Sequence, residues 1–341
     1  MKKVYKFSAL FLLLIFLITC NTLSDTFSIA AIDPSTGQVG SAGASCYQIY
    51  PGCIILSDVH PNRGVIHTQA SYLAANQNYA RYLMNQGYSP QQIIDSLIAR
   101  DAQNNPTVRQ YGIIDLIGGG RVAAYTGVNC IDWKGHLTGP TYSIQGNILL
   151  GPQIIDSMKG RFLGTSGQLA LKLMASLQGA KVIGADWRCS TYNTSSSSAF
   201  IRVAKPTDPP NGPYFLDLNV PSSPFGRDPI DSLQVLFNLW LVTGLSSFSN
   251  VVPAEYALFQ NYPNPFNPST IIRFDIIKSA GVKIIIYDIL GNEINRLVEV
   301  DNLPAGSYSV DFNASNLASG IYLYQLRADD YIDTKKMIVV K

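Results

Sequence analysis

Thr26 is the residue whose position is best suited to chemistry, because it begins the predicted strand TFSIAAID directly after an apolar leader. At the N-terminus of a mature chain, a threonine hydroxyl can attack an acyl carbon while its own α-amine accepts the proton. The reference pKa of that amine, about 7.7–8.0, suits a general base. The alternative is that Thr26 is simply a favourable strand residue. The two interpretations differ in whether the bond after Asp25 is cut.

An acyl-transfer site also needs hydrogen-bond donors for the oxyanion and charged groups that orient the substrate. The amides of Gln145 and Asn147 flank a glycine and could form an oxyanion hole or substrate clamp, or could instead cap the following helix. The remaining candidate residues for binding and orientation are His67, Thr68, Gln69, Arg109, Gln110, Asp186 and Arg188.

Two acid–base pairs among these residues have structural interpretations. Arg109 is expected to pair with Asp101 and so to tie the end of a helix to a hairpin. Asp186 and Arg188 could orient Thr26 or bind a substrate carboxylate, or they could form a buried structural pair, which is tolerated only when well satisfied.

The spacing of the histidines and glycines argues against a metal site, a phosphate-binding loop and a nucleophile elbow. His60, His67 and His136 show no ligand spacing with the cysteines, so we predict no metal site and no cofactor. His67 in a strand and His136 in a loop are each more typical of structural histidines. The triple glycine at 118–120 is followed by a strand, unlike a phosphate-binding loop. The segment GTSGQ lacks the spacing of a nucleophile elbow.

Composition indicates a folded, exported protein. The 341 residues are long enough for about two domains, 47% are hydrophobic, and the net charge is only +2. Basic residues are scattered, so we predict no nucleic-acid partner.

The leader predicts export. Lys2, Lys3 and Lys6 precede an apolar stretch at 9–18, which is too short for a transmembrane helix. Cleavage after Ser24 would define a signal peptide of residues 1–24 and leave Asp25 first. The segment LITC is similar to a lipobox, which would instead lipidate Cys20, although Thr19 is unusual there.

Four cysteines would remain after a leader containing Cys20 is removed. An even number in an exported chain suggests two disulfides, for which three connectivities exist. We predict Cys46–Cys53 and Cys130–Cys189; the alternative is four buried thiols.

Patterning predicts an α+β unit over residues 25–204. TFSIAAID and QVGSAGAS form a hairpin, GVIHTQA is a strand before a helix, and Ser89 with Gln92 forms a capping box for the next helix. RQYGIID begins another hairpin, two helices follow near 152–162 and 166–177, and SSAFIRVA is the last strand. Residues 205–254 are predicted to be a proline-rich segment that wraps over the surface, followed by a short apolar helix and a linker.

The segment 255–341 contains short strands separated by turns, which is typical of a small immunoglobulin-like β-sandwich. It resembles the type A sorting domain of the type IX secretion system. The matching residues are LFQNYPNPFNPST, VKIIIYDILGNE, LPAGSYSVDFNASNLASGIYLYQL and the terminal KKMIVVK. The resemblance implies export through the inner membrane, then passage across the outer membrane by that machinery, and a secreted or cell-surface location. A carbohydrate- or protein-binding sandwich is the alternative.

The first unit resembles the family of unknown function called DUF1028, which is related to N-terminal-nucleophile hydrolases. The matching stretches are TFSIAAIDPSTGQVGSAGAS, HTQA, GYSPQQIIDSLIARD, RQYGIID, VAAYTGVNC, GH, YSIQGNILLGPQIIDSM and GADWRC. This resemblance implies a four-layer αββα sandwich and amide or peptide hydrolysis with Thr26 as the nucleophile. The resemblance does not identify a substrate.

Two departures from the family pattern matter. Cys189 stands where the family has a glycine after Asp-x-Arg, and a disulfide there would fix the loop in an exported variant. Family members often begin Met-Thr-Phe-Ser, so that loss of Met exposes the threonine, whereas here Asp25 precedes Thr26. The alternative function is therefore a non-catalytic extracellular binding or structural protein on the same fold, including one associated with the cell wall.

Overall fold

The structure, a computed structural model, describes residues 23–24, 26–243, 246–249 and 253–341, with side chains for 26–241 and 253–341. Most of the predicted leader, Cys20 and Asp25 lie outside these residues. The helices are α1 Ala74–Asn85, α2 Pro90–Ala99, α3 Gln153–Gly164, α4 Leu169–Gly179 and α5 Pro229–Thr243.

The strands fall into two groups along the chain. The first group is β1 Leu23–Ser24, β2 Thr26–Asp33, β3 Gln38–Ser45, β4 Ser57–His60, β5 Gly64–Ser71, β6 Arg109–Asp115, β7 Arg121–Thr126, β8 Gly135–Gly139, β9 Tyr142–Gly146, β10 Ser198–Ala204 and β11 Leu216–Val220. The second group is β12 Ser246–Ser249, β13 Ala257–Leu258, β14 Ser269–Ile276, β15 Ala280–Tyr287, β16 Glu293–Leu303, β17 Gly306–Asn313, β18 Gly320–Ala328 and β19 Tyr331–Val339.

The first group forms two antiparallel sheets. The first sheet has the order β1-β5-β6-β7, with β4 also paired to β5, and the second has the order β11-β10-β3-β2-β9-β8. Helices α1 and α2 contact the first sheet, and α3 and α4 contact the second. Contacts of β2 with β5 and β6 bring the two sheets face to face. The predicted mixture of helices with antiparallel sheets is therefore confirmed.

The β2–β3 hairpin follows from its sequence. Its register pairs Phe27 with Ala44 and Ile29 with Ala42, as the predicted hairpin requires. At the turn, Asp33 accepts a hydrogen bond from the backbone N–H of Ser35 at 3.0 Å. Gly37 has φ 69°, a left-handed conformation that glycine adopts without a steric penalty.

Strand β2 has two different faces, because successive side chains of a strand point to opposite sides. Phe27, Ile29 and Ala31 belong to the apolar cluster that includes residues of α3 and α4. Ala30 belongs to a cluster with residues of the first sheet, and Ser28 also bonds residues of that sheet. Strand β2 therefore joins a helix-facing apolar layer to a layer between the sheets.

The predicted start of α2 is confirmed in detail. Ser89 accepts from the backbone N–H of Gln92 at 3.3 Å, while the Gln92 side chain accepts from the Ser89 N–H at 2.9 Å. Ile93, Ile94 and Leu97 are buried against the first sheet.

The proline-rich segment differs from the predicted wrap or linker. Within it, β11 pairs with β10 from Ala199↔Val220 to Val203↔Leu216. The prolines stand outside this short strand at the edge of the sheet, where they remove no ladder hydrogen bond. Helix α5 contacts both strands.

The second group forms two four-stranded antiparallel sheets, with the orders β12-β17-β14-β13 and β16-β15-β18-β19. Sequence patterning predicts β14, β15, β17, β18 and β19 but misses the short β12 and β13 and the longer β16. Buried side chains of β16 are sparse and its first residues are exposed, so its alternation is weak. Within the described residues, no helix combines the length and apolar character needed to cross a bilayer.

The predicted disulfide pairing is wrong. Cys46 is bonded to Cys189 across 143 residues, and Cys53 and Cys130 are buried thiols. Cys53 lies in a short 3₁₀ turn whose side chains pack on Phe200, away from Cys46. Nearness in sequence therefore misled the prediction of a small closed loop.

Candidate functional site

Thr26 lies at the start of a central strand and is fully buried in the chain described here. Its carbonyl oxygen accepts hydrogen bonds from Gln69 Nε2 at 3.2 Å and from the backbone N–H of Asn147 at 3.2 Å. Its backbone nitrogen lies 3.4 Å from Asn147 Oδ1. Two side chains predicted as site residues therefore hold the main chain of the predicted nucleophile.

The segment before Thr26 occupies the end of the first sheet. Leu23 pairs with Ser71 and Ser24 pairs with Ala70, both in antiparallel register. Ala70 has φ 65°, which is uncommon for a residue other than glycine. Thr26 is fully buried in this arrangement, so its hydroxyl is closed to a substrate in the chain described here.

A buried chain of hydroxyl groups and one imidazole crosses the layer between the sheets. His67 Nδ1 lies 2.9 Å from Ser28 Oγ, and His67 Nε2 lies 2.5 Å from Ser41 Oγ. Ser57 Oγ donates to Ser41 Oγ at 2.8 Å. Ser28, Ser41 and His67 are fully buried, whereas Ser57 is 6% exposed. The chain therefore runs from the interior to the edge of the sandwich.

Three glutamine amides complete this network. Ser28 Oγ donates to Gln69 Oε1 at 2.6 Å, and Gln69 Nε2 donates to Gln110 Oε1 at 2.7 Å. Gln145 Nε2 donates to Ser28 Oγ at 2.7 Å, and Gln145 Oε1 accepts from Ser143 at 2.8 Å. We call these eight residues the inter-sheet network: Ser28, Ser41, Ser57, His67, Gln69, Gln110, Ser143 and Gln145.

The network favours neutral imidazole at His67. Burial lowers the pKa of His67 to about 3, because the charged form would lose its hydration. Its bonded neighbours are hydroxyl and amide groups, which provide no opposite charge. His67 is therefore a fixed hydrogen-bond partner at neutral pH rather than a cation.

Gln145 and Asn147 take different places from those expected. The Gln145 side chain bonds Ser28 and Ser143 inside the network, away from the start of α3, whose N-cap residue Pro152 makes no side-chain cap bond. Asn147 lies beside Thr26. The two amides therefore have different surroundings, and Gln145 is bonded inside the network rather than to the start of α3.

Arg109 and Thr68 lie on the other side of the first sheet. Arg109 Nε donates to Asp101 Oδ2 at 2.8 Å, and both side chains are nearly completely buried, which confirms the predicted ion pair. Thr68 Oγ1 accepts from Gln77 of α1 at 3.1 Å. These residues hold the outer helices rather than the surroundings of Thr26.

Asp186 and Arg188 form a partly buried pair at 2.6 Å. Asp186 Oδ2 also accepts from the backbone N–H of Cys46 at 2.8 Å. Cys46 follows Ser45, which pairs with Thr26, and its disulfide reaches Cys189. These contacts agree with the structural interpretation of the pair, which fixes a loop next to the start of β2.

His136 connects the network to the opposite edge. Its Nδ1 lies 2.8 Å from Thr126 Oγ1, which accepts from Gln110 Nε2 at 2.9 Å.

Sequence reasoning missed three serines of the network: Ser28, Ser41 and Ser57. The available signal is the recurrence of small polar residues at every second position of β2 and β3, which places them on one face.

Among the described residues, no group of three or more His, Cys, Asp or Glu side chains could hold a metal ion. The nearby groups are hydroxyls, amides and a neutral imidazole. They can position a main chain and donate hydrogen bonds, and a hydroxyl with an adjacent base could attack an acyl group.

The comparisons with known proteins cover both parts of the chain. A family of unknown function, DUF1028, matches residues 26–233, and a secretion system C-terminal sorting domain matches residues 260–341. Both predicted resemblances are confirmed. The second match shows that the protein is sorted by the type IX system to the cell surface or to the medium.

A crystal structure of a protein from Silicibacter pomeroyi, also described as DUF1028, has the same fold. The two chains are 24% identical with a TM-score of 0.52, and the match covers 64% of this chain and 89% of that one. No curated protein matches this chain.

Proposed function

Since this chain belongs to the DUF1028 family, whose function is unknown, we propose its activity from the site: the exported protein hydrolyses an amide or peptide bond, with Thr26 as an N-terminal nucleophile. The substrate class is a small amide or peptide. The proposal requires that residues 1–25 are removed, by a signal peptidase cut after Ser24 and by loss of Asp25.

The observation that carries this proposal is the contact between the Thr26 nitrogen and Asn147 Oδ1 at 3.4 Å. After cleavage this nitrogen becomes the α-amine, and the amide oxygen of Asn147 can accept one of its protons. Gln69 and the Asn147 backbone hold the Thr26 carbonyl, so the residue keeps its place when the preceding chain leaves. Asn147 and Gln69 are therefore positioning residues.

The proposed reaction has two steps. The Thr26 hydroxyl oxygen bonds to the acyl carbon, its proton passes to the Thr26 amine, and the scissile C–N bond breaks as that proton moves to the leaving amine. Water then adds to the acyl-threonine ester, giving up one proton through the same amine, and releases the acid and the free hydroxyl. Because nucleophile and base belong to one residue, their geometry needs no further alignment.

The layer order supports this assignment. We propose that the outer helices and the two facing sheets form the αββα sandwich of N-terminal-nucleophile hydrolases, over residues 25–204 with β11 and α5 added at its edge. Residues 255–341 are then an immunoglobulin-like sorting module, joined by the segment 205–254.

A specific observation favours a second function. Thr26 is fully buried while the preceding segment pairs with β5. A mature protein that keeps Asp25, or is lipidated at Cys20, would retain this arrangement. It would then be a non-catalytic extracellular binding or structural protein whose inter-sheet network has only a structural role.

The test needs no known substrate. A β-lactone probe is opened by a nucleophilic hydroxyl and remains attached as an ester, so it reports an activated threonine. We expect one adduct per mature chain on the N-terminal peptide and none in Thr26→Ala. Thr26→Ser, which keeps the hydroxyl, should still be labelled.

The matched control is Thr138→Ala, which removes an exposed threonine of β8 and should be labelled like the parent protein. With any amide that the protein hydrolyses, Thr26→Ala should lower the rate by at least about a thousandfold. Equal labelling or equal turnover in Thr26→Ala would show that another group carries the chemistry.

A further inference from the structure

A cleft of about 500 Å³ opens at the edge of the first unit, away from Thr26. One wall carries Asp58 and His60 from β4 together with Arg81 from α1, and the other carries Arg202 from β10 and Asp217 from β11. These two walls come from the facing sheets and their neighbouring helix. The segment 210–214 and Arg273 of β14 complete the lining, so the cleft opens beside the C-terminal module. Its volume lies in the range of small-molecule sites.

Each wall contains an acid–base pair. Arg81 Nε donates to Asp58 Oδ2 at 2.9 Å, and His60 Nε2 lies 3.0 Å from the same oxygen. Arg202 Nε donates to Asp217 Oδ1 at 3.0 Å. Charged side chains are rarely buried without pairing, so these pairs explain how four ionised groups are tolerated in the cleft.

Hydrogen-bonding groups remain available on both walls. Within the part of the chain that the structure describes, Arg81 bonds only through Nε, which leaves both Nη groups, and its side chain is 44% exposed. Arg202 uses Nε and one Nη, the latter donating to the Ser57 carbonyl at 3.3 Å. Asp217 bonds through Oδ1, which leaves Oδ2.

The two walls differ in how fully their carboxylates are satisfied. Asp58 lies within hydrogen-bond distance of two nitrogen groups, from Arg81 and His60, so its wall is rich in nitrogen groups. Asp217 has one cationic partner and is less completely neutralised. A ligand carboxylate is therefore favoured at Arg81 and a ligand ammonium at Asp217.

We propose that this cleft binds a short peptide or similar zwitterion of about dipeptide size, with its carboxylate on Arg81 and its ammonium on Asp217. A guanidinium fork suits a carboxylate, and a carboxylate oxygen accepts from an ammonium group. Two residues of extended chain span at most about 7 Å, which suits a ligand held between two walls.

The ionisation of Asp217 and Asp58 supports placing the ligand ammonium at Asp217. Burial raises the pKa of Asp217 above its ordinary value, and Arg202 offsets this only in part. An ammonium group beside it would favour the ionised form. Burial also raises the pKa of Asp58, but its bonds to His60 and Arg81 outweigh burial and lower the pKa overall, so this carboxylate is already satisfied.

The cleft is connected to the interior by Ser57, which lines it and donates to Ser41 of the inter-sheet network. The binding proposal nevertheless does not rest on the proposed hydrolysis, since binding is measured without turnover. A failure of one leaves the other standing.

The experiment is calorimetric titration of the full chain with L-alanyl-L-alanine. Two blocked probes are the matched controls: N-acetyl-L-alanyl-L-alanine lacks the ammonium, and L-alanyl-L-alaninamide lacks the carboxylate. We expect saturable binding of the dipeptide at millimolar concentration or below and at least about tenfold weaker binding of each blocked form, because each loses a charge-assisted contact.

Two variants assign the ends of the ligand. Arg81→Gln should weaken binding of the dipeptide at least about tenfold and leave binding of the carboxamide unchanged. Asp217→Asn should weaken binding of the dipeptide and of the carboxamide, and leave binding of the acetylated form unchanged. Asp95→Asn on α2 and Arg100→Gln directly after this helix, both at exposed positions, should bind like the parent.

The choice of Arg81 protects the test against unfolding, since this side chain is half-exposed and its loss should be tolerated. If Asp217→Asn does not fold, the blocked probes and Arg81→Gln still test whether the ligand binds through its two charged ends. Binding of all three probes with equal affinity, or no saturable binding of the dipeptide, would overturn the proposal.

Discussion

The two parts of the chain each contain two antiparallel sheets, but the side chains that these sheets bury differ. In the C-terminal module the buried side chains of β14 and β15 include Ile272, Phe274 and Ile284, which pack with other apolar residues. In the first unit the space between the sheets holds the inter-sheet network beside an apolar cluster, with His67, Ser28 and Ser41 fully buried.

Under the proposed function, this difference gives the polar layer a role beyond stability. Burying hydroxyl, amide and imidazole groups is favourable only when nearly every one finds a hydrogen-bond partner. In the C-terminal module, apolar side chains from both sheets belong to one buried cluster. The inter-sheet network contacts the main chain of Thr26 through Gln69, and under the proposed function this contact explains why polar groups are retained.

The largest expected difference between the two layers is in pH dependence. The pKa of His67 is near 3 in the folded chain and about 6.5 when unfolded, so the unfolded state binds more protons between these values. This contribution to stability is present above pH 6.5 and is lost as the pH falls. The free energy of unfolding should fall by about 2–3 kcal/mol from about pH 7.5 to about pH 4.5.

Replacing the imidazole isolates this effect. His67→Gln should remove that part of the pH dependence. Burial also lowers the pKa of His136, so His136→Gln should remove only that histidine's own part and keep the part that belongs to His67. Trp133 and Trp187 lie in the first unit, so tryptophan fluorescence during urea unfolding reports this unit, with Trp240 on α5 adding a signal from the helix that contacts β10, β11 and β16. An unchanged pH dependence in His67→Gln would mean that this histidine is not buried in its neutral form.

A smaller effect is expected from removing a single hydroxyl of the network. Ser28→Ala removes the partner that Gln69 Oε1, Gln145 Nε2 and His67 Nδ1 share. Gln145 Nε2 and His67 Nδ1 still lie 2.9 Å from each other, so the main loss is the hydrogen bond to Gln69 Oε1. We expect a loss of about 1–2 kcal/mol in the free energy of unfolding, which is the usual cost of unsatisfied buried polar groups.

The control is Ser35→Ala, which removes a hydroxyl bonded to Asp33 in an exposed turn and should change stability by less than about 0.5 kcal/mol. Tryptophan fluorescence in urea measures both variants. If Ser28→Ala is as stable as the parent, the inter-sheet layer tolerates an apolar residue. The hydrogen bonds of the network would then not distinguish this layer from the apolar core of the C-terminal module.

Local features of the fold were predictable from the sequence because their causes are local. The capping box at Ser89, the turn at Gly37 and the alternation in β14 each depend on a few neighbouring residues. Strands β4, β8, β9 and β11 were missed, since strands of only four or five residues carry little alternation and their pairing is set by distant partners. The proline content near β11 pointed away from a strand.

The site was predictable only in part. Thr26, Gln69 and Asn147 were found as residues of matching motifs, and the structure brings them together. Ser28 and Ser41 were missed because the alternation places small polar residues on one face of β2 and β3 but does not show whether that face is buried. The Cys46–Cys189 disulfide joins residues whose nearness arises from the packing of β3 against a distant loop, which spacing along the chain does not reveal.

The most direct test of the account is the N-terminus of the mature protein recovered from its native host, by intact mass and by sequencing of the N-terminal peptide. The N-terminal peptide is informative whether or not the C-terminal module is removed. The account predicts a folded, exported chain that begins at Thr26. A folded, exported chain that begins at Asp25 or any earlier residue would contradict catalysis by a free Thr26 amine.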